Sequence, residues 1–174
     1  MALKRADLEE LHYICHVDNF PSIIERDILS YQRAKRIAHN SVAMQEVQDL
    51  RENKRVPGGL PLHDYVNLYF CARNPMLFKR RVDHESLCIL RIDPNVLDLK
   101  DVDVELVFAR YWTDDDQITV WRKKAVKCAE VLVPHAVSQH FISGAFVSND
   151  RTKGTVRRLA PGLDIITDSD LFFC

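Results

Sequence analysis

Short apolar runs broken by polar turns set the rhythm of this chain. Residues 11–17 read Leu-His-Tyr-Ile-Cys-His-Val and predict a strand, since β-branched and aromatic residues suit a pleated, half-buried surface. Runs at 65–71, 87–92, 105–109, 129–133, 141–148 and 163–166 predict further strands, and Asp93-Pro94 ends the third. Helical spacing is rarer. Asp18-Asn19 offers a cap, Pro21 falls in a first turn, and Ile23, Ile24 and Ile28 follow. A second helix is predicted over 41–53, with Ser41 as cap and an apolar stripe of Met44, Val47 and Leu50. It stops before Val56-Pro-Gly-Gly, a loop signal. Asn74-Pro75 opens a short turn or helix; 113–116 is an acidic turn; 148–154 reads as a loop ahead of a basic stretch with Arg157 and Arg158. Strands that do not alternate regularly with helices predict an α+β fold.

Size and charge narrow this picture. The 174 residues suit a single domain over 1–174, able to bury about two-thirds of its unfolded surface. A hydrophobic share of 47% and a charged share of 28% exclude a largely disordered chain. Lys+Arg at 24 against Asp+Glu at 25 excludes a strongly basic nucleic-acid coat, though not a local basic patch. The longest apolar runs, 129–134 and 141–147, are too short for a membrane span, and the start lacks the apolar stretch of a signal peptide. Five cysteines without a CxxC argue against a disulfide framework or zinc knuckle. They read as small hydrophobes in a reduced, cytoplasmic protein.

The chemistry is sparse. Seven histidines include no HExxH, and His12 and His16, four apart on a strand, share a face but stand well separated. With five glycines and no Walker or GxGxxG loop, a nucleotide must be held without a glycine-rich cradle. Glu130 opens an apolar strand after the basic run Arg122-Lys-Lys, where a carboxylate can grip a hydroxyl or a developing cation; an exposed edge residue is the plainer reading. Arg51 closes an apolar-striped helix, and from composition alone it reads as a solvated charge or as a cation near the helix C-terminus. Tyr65, Tyr69 and Phe70 read as strand aromatics. Tyr111-Trp112, beside the acidic turn, suit either core packing or stacking on a base.

Five segments in order carry a resemblance: Ile14-Cys-His-Val-Asp-Asn-Phe-Pro-Ser-Ile, Arg51 with Val56-Pro57, His63-Asp-Tyr-Val-Asn-Leu-Tyr-Phe, Asn74-Pro-Met-Leu and Lys127-Cys-Ala-Glu-Val-Leu-Val. Together they resemble the DarT-type DNA ADP-ribosyltransferases, the toxin half of DarT–DarG toxin–antitoxin systems, from about residue 11 to Phe172-Phe173. The resemblance implies a split, mainly antiparallel β core with flanking helices and a cleft for NAD, the substrate that supplies ADP-ribose. It implies transfer to a base in single-stranded DNA, no metal, no membrane, and a DarG-type macrodomain antitoxin that removes the mark. Glu130 then matches the catalytic glutamate and Arg51 the essential arginine. Since a guanidinium is a poor base, Arg51 reads as electrostatic, toward diphosphate or attacked base. Tyr13, Ile14 and Cys15 match the segment that holds nicotinamide through backbone bonds, Ser22 falls near adenosine, and Tyr69 packs near nicotinamide. The stretch 33–53 corresponds to a helical cover. The nucleic-acid side is assigned His63, Met76, Tyr111, Trp112 and Lys123; from composition Lys79, Arg80 and Arg81 read either as phosphate contacts or as a solvated face. Many relatives carry Tyr-His where this chain has His12-Tyr13, and some tens of residues more between Phe108 and Glu130. RNA or protein acceptors, and a non-catalytic binding module of the same fold, stay open at this level.

Overall fold

A computed structural model describes residues 8–98 and 130–174. Its frame is a six-stranded sheet in the order β5-β3-β1-β4-β7-β8. The strands are β1 (Leu11–His16), β3 (Tyr65–Tyr69), β4 (Leu87–Ile92), β5 (Glu130–Pro134), β7 (Ile142–Val147) and β8 (Asp164–Thr167). All neighbours are antiparallel except β7 and β8. That one parallel pair needs a crossover, and α5 (Asp150–Leu159) supplies it. Two short strands, β2 (Ile28–Leu29) and β6 (Ala136–Val137), pair separately.

Both faces of the sheet are covered, which explains why β4 reads as a nearly continuous apolar run. Leu87, Cys88, Ile89, Leu90 and Ile92 are all buried. On one face, Cys15, Leu68, Leu90 and Val131 pack in a core with Phe20 and Ile23 of α1 (Phe20–Arg26) and Val156 of α5. On the other, Ile14 and Ile89 meet Phe172 and Leu77 of α4 (Pro75–Lys79). Each fully buried side chain of this size contributes about 1.5–3 kcal/mol against conformational entropy. Among the described residues, no helix is long and apolar enough to cross a membrane.

The feature that positions the site is a parting of strands. β1 pairs with β4 along its whole length, from Leu11↔Ile92 to His16↔Leu87. With β3 the register records one partner pair, His12↔Tyr69, and β3 then continues alongside β5 from Tyr69↔Glu130 to Tyr65↔Pro134. Beyond His12, the edge of β1 that faces β3 pairs with no strand among the described residues.

Local chemistry corrects several expectations. The run 148–154 is not a loop, because Asn149 caps Thr152 N–H at 2.9 Å and Thr152 and Val156 bury one helical face. Gly154 sits inside α5 despite its entropic cost. α1 ends before Ile28: Asp27 takes φ 70°, its carboxylate accepts Gln139 N–H at 2.9 Å, and Ile28 starts β2. Asn19 stands at the N-cap of α1, but its side chain serves another segment. The expected strand 105–109 and acidic turn 113–116 lie outside the described residues. In the Val56-Pro-Gly-Gly turn, Gly58 has φ 75°, and a Cβ on Gly59 would lie 2.6 Å from the Tyr65 hydroxyl.

Gly144 faces a harder limit. A Cβ there would lie 2.8 Å from the Asp164 carbonyl oxygen and 3.1 Å from Arg91. Backbone cannot swing aside as a side chain can. Gly144→Ala is expected to cost about 1–3 kcal/mol by overpacking, read as a lower urea midpoint with an unchanged slope.

Candidate active site

A cleft of about 450 Å³ opens where β1 and β3 part. Tyr13, Ile14 and Cys15 all line it. Consecutive strand residues point to opposite faces, so three in a row can share a cleft only if it meets the strand edge-on. Backbone N–H and C=O groups along that edge are what an amide ligand needs. Tyr13 and Cys15 also pack toward the core. Burial, then the Cys15 and Cys88 thiols, push the Tyr13 phenol well above its ordinary value. Cys15 lies opposite Cys88, sulfur to sulfur 3.4 Å. A hydrogen bond to Cys88, then burial, push the Cys15 thiol up, which makes it a poor nucleophile.

The opposite wall carries the charge. Glu130 is the first residue of β5, directly across from Tyr69, and both line the cleft. Its Oε2 accepts from Arg51 Nη1 at 3.2 Å and from Asn67 Nδ2 at 2.5 Å. Among the described residues no partner falls on Oε1. Arg51 and Glu130 side chains are 17% and 18% exposed, low enough for the pair to be poorly screened yet reachable by a ligand. Asn67 has no place in the sequence-based assignment. A signal was present: a poor strand former in Tyr-Val-Asn-Leu-Tyr, on the same face as Tyr65 and Tyr69.

Arg51 comes from α3 (Gln45–Glu52), shorter than the predicted 41–53. Met44 is its cap residue in place of Ser41, whose hydroxyl instead accepts Ala43 N–H at 3.3 Å. The predicted apolar stripe does not enter a core. α3 buries none of its residues; Met44 and Val47 face the cleft and Leu50 is 68% exposed. Ahead of α3, the segment 35–44 is pinned at two points. Asn19 and Asn40 exchange two hydrogen bonds of 2.8 Å. Arg80 donates to the carbonyls of Val42 and Ala43 at 3.2 and 3.3 Å and pairs with Asp83. Arg80 is therefore a clamp on the cover rather than a free phosphate ligand.

His63 lines the cleft but is tied down. Its Nε2 lies 3.2 Å from the Gln48 carbonyl, one turn before Arg51, and its ring meets Tyr31 of α2 (Tyr31–Ala34) at 4.5 Å. Met76 and Lys79 of α4 also line the cleft, and the Tyr69 hydroxyl donates to the Met76 sulfur at 3.6 Å. Ser22, on α1, is not among the lining residues, whereas its neighbour Asn19 is. Tyr111, Trp112 and Lys123 lie outside the described residues. His12 is buried; its Nδ1 lies 3.2 Å from the Tyr69 carbonyl and its Nε2 3.1 Å from Glu10. It braces the point where β1 and β3 still touch. His16 caps Asp18 N–H, and no three His, Cys, Asp or Glu side chains converge as a metal site among the described residues.

Burial lowers the His63 pKa from its ordinary value of 6.5; Lys35 and Arg51 add to this, while the Gln48 hydrogen bond and Glu52 oppose it. As pH falls through 6.5 the unfolded chain takes up a proton that the folded chain refuses. Stability is therefore full above that pH and declines toward the lowered folded value. Thermal unfolding across this range is expected to show the decline, and His63→Gln to flatten it.

Comparisons with known proteins bear on the family and the fold. Residues 12–98 and 96–170 match the family model described as "ssDNA thymidine ADP-ribosyltransferase, DarT". A DNA ADP-ribosyl transferase–DNA ADP-ribosyl glycohydrolase fusion protein of Thermosipho africanus is 25% identical over 94% of this chain and 49% of its own. This chain thus spans about half of that relative. The structure of Thermosipho africanus DarTG with ADP-ribose superposes with a TM-score of 0.79 at 25% identity, over 95% of this chain and 51% of that one. Thermus sp. 2.9 DarT shares the fold at 20% identity. Its complex with ADP-ribosylated ssDNA gives a TM-score of 0.76, over 98% of this chain and 99% of that one. Its complex with NAD+ gives 0.64, over 95% and 98%.

Proposed function

The chain belongs to the DarT family, and from that premise we propose that it transfers ADP-ribose from NAD to a base of single-stranded DNA, releasing nicotinamide. The observation that carries this reading is the Arg51–Glu130–Asn67 contact in the cleft, assembled from three separate segments. The family description makes thymidine the first acceptor to test.

The reaction needs little that these residues lack. The C1′–nitrogen bond of the nicotinamide riboside breaks, the departing nicotinamide keeps the electron pair, and an oxocarbenium-like ribose forms. Asn67 and Arg51 hold Oε2 of Glu130, which leaves Oε1 to accept the ribose 2′-hydroxyl. A carboxylate fixed there favours the cationic transition state more than the ground state. A ring nitrogen of the acceptor base then bonds to C1′ and its proton goes to solvent. Arg51 cannot take that proton, since a guanidinium stays charged. It supports Glu130 and stabilises negative charge on the attacked base or on the NAD diphosphate. The unpaired edge of β1 at Tyr13–Cys15 offers backbone groups to the nicotinamide carboxamide, and Tyr69 packs beside it. The base must be unpaired or flipped out for its ring nitrogen to reach the cleft.

A DarG-type macrodomain that removes ADP-ribose is the corresponding antitoxin, in keeping with the glycohydrolase named in the Thermosipho fusion protein. In this reading the chain is a toxin that acts on cytoplasmic DNA.

Mass spectrometry of a thymidine oligonucleotide incubated with NAD tests the proposal. Wild-type protein is expected to add one ADP-ribose. Glu130→Gln is expected to lower transfer by about 10²–10³-fold with little change in melting temperature. Asn67→Ala, which removes one hydrogen bond to the carboxylate, is expected to cost roughly tenfold. Full transfer by Glu130→Gln would refute the assignment.

A further inference from the structure

The outer face of α4 carries a feature that the transfer chemistry does not use. α4 turns Leu77 into the core and Met76 and Lys79 toward the cleft, which leaves Phe78 46% exposed. The Phe78 ring meets Phe173 edge to face, with centroids 5.1 Å apart. The Arg81 guanidinium lies 4.2 Å from the Phe78 centroid, and that of Arg73 lies 4.3 Å from Phe173. Four side chains thus form a row: Arg73, Phe173, Phe78, Arg81.

Among the described residues neither Arg73 nor Arg81 forms an ion pair, and Arg81 donates only to the Phe78 carbonyl, at 2.9 Å. The other arginines nearby are spent: Arg80 clamps the cover and pairs with Asp83, and Arg51 holds Glu130. A guanidinium lying on an aromatic face keeps its in-plane donors free and loses little entropy when it meets an anion. Phosphate is the anion whose geometry suits that fork. The exposed Phe78 ring supplies the second half of a nucleic-acid surface, since an unpaired base stacks on it and a paired one cannot. Lys79, on the same short helix, joins the row to the cleft.

We infer that Arg73, Phe78, Arg81 and Phe173 form a track for single-stranded DNA flanking the base held in the cleft. The two arginines take phosphates and Phe78 stacks on a neighbouring base. This rests on the DNA-acceptor reading above and adds residues to it. The row also explains how a chain of net charge −1 holds DNA: cations are grouped where the strand passes.

Fluorescence anisotropy of a short labelled thymidine oligonucleotide, titrated over about 50–200 mM salt, tests the track. The double variant Arg73→Gln/Arg81→Gln is expected to reduce the slope of log K against log salt by about 1.4, or about 0.7 for each phosphate that is no longer neutralised. Phe78→Ala is expected to weaken binding roughly tenfold, and Phe78→Leu, which keeps apolar packing, to weaken it comparably. Nicotinamide release from NAD without DNA is expected to be unchanged in all three. An unaltered slope in the double variant, with wild-type protein still binding and modifying the oligonucleotide, would overturn the track and leave the DNA reading intact. NAD hydrolysis by wild-type protein with neither binding nor modification of the oligonucleotide would overturn both. Displacement of the oligonucleotide by an equal concentration of polyglutamate would overturn the track in favour of an acidic protein partner.

Discussion

An arginine from a helix without a buried residue meets a glutamate at the start of a sheet strand, and the far wall of the cleft depends on that meeting. Eight residues are too few for a helix to be stable by itself in water. α3 also lacks the apolar anchor that usually compensates. What orients it is polar: Arg51 on Glu130, and the Gln48 carbonyl on His63. The pair is partly exposed, so its net contribution to stability is modest. Its larger effect is geometric. It fixes one carboxylate oxygen of Glu130, and Asn67 holds the same atom.

The parting of β1 from β3 is the second condition. Had the two strands stayed paired, the β1 edge at Tyr13–Cys15 would be consumed by a ladder and no cleft would exist. Instead β1 leans on β4 for its full length, and His12 braces the last point of contact with β3 through the Tyr69 carbonyl. His12 supports the fork in the sheet, while Tyr13 and its two successors run along the opening. Cys15 and Cys88 fill the space behind as buried thiols.

Much of this frame was legible in the chain. The strand runs near 11–17, 65–71, 87–92, 129–133 and 141–148 read correctly because their composition and their burial coincide. The ends of helices read less well. Asp27 adopts a left-handed conformation for the sake of a bond to Gln139, 112 residues away, and no local pattern announces that. The run 148–154 looked like a loop because Asn, Asp, Thr and Gly favour turns. The burial of Thr152 and Val156 made it a helix instead. Met44, Val47 and Leu50 have core periodicity, yet Met44 and Val47 border the cleft and Leu50 faces solvent; periodicity cannot tell a core from a cavity. The resemblance placed Glu130 and Arg51; their mutual contact, and the part Asn67 plays in it, are visible only in three dimensions.

The segment ahead of α3 is held at both shoulders before any ligand arrives, by the Asn19–Asn40 pair and by the Arg80 fork. Its conformational entropy has thus already been surrendered during folding. In the proposed reading a dinucleotide would enter beneath a roof already in place, and association need not carry the further cost of ordering a loop. In that reading, reactant and leaving group pass along the open flank of the fork in the sheet, where the β1 edge pairs with no strand among the described residues.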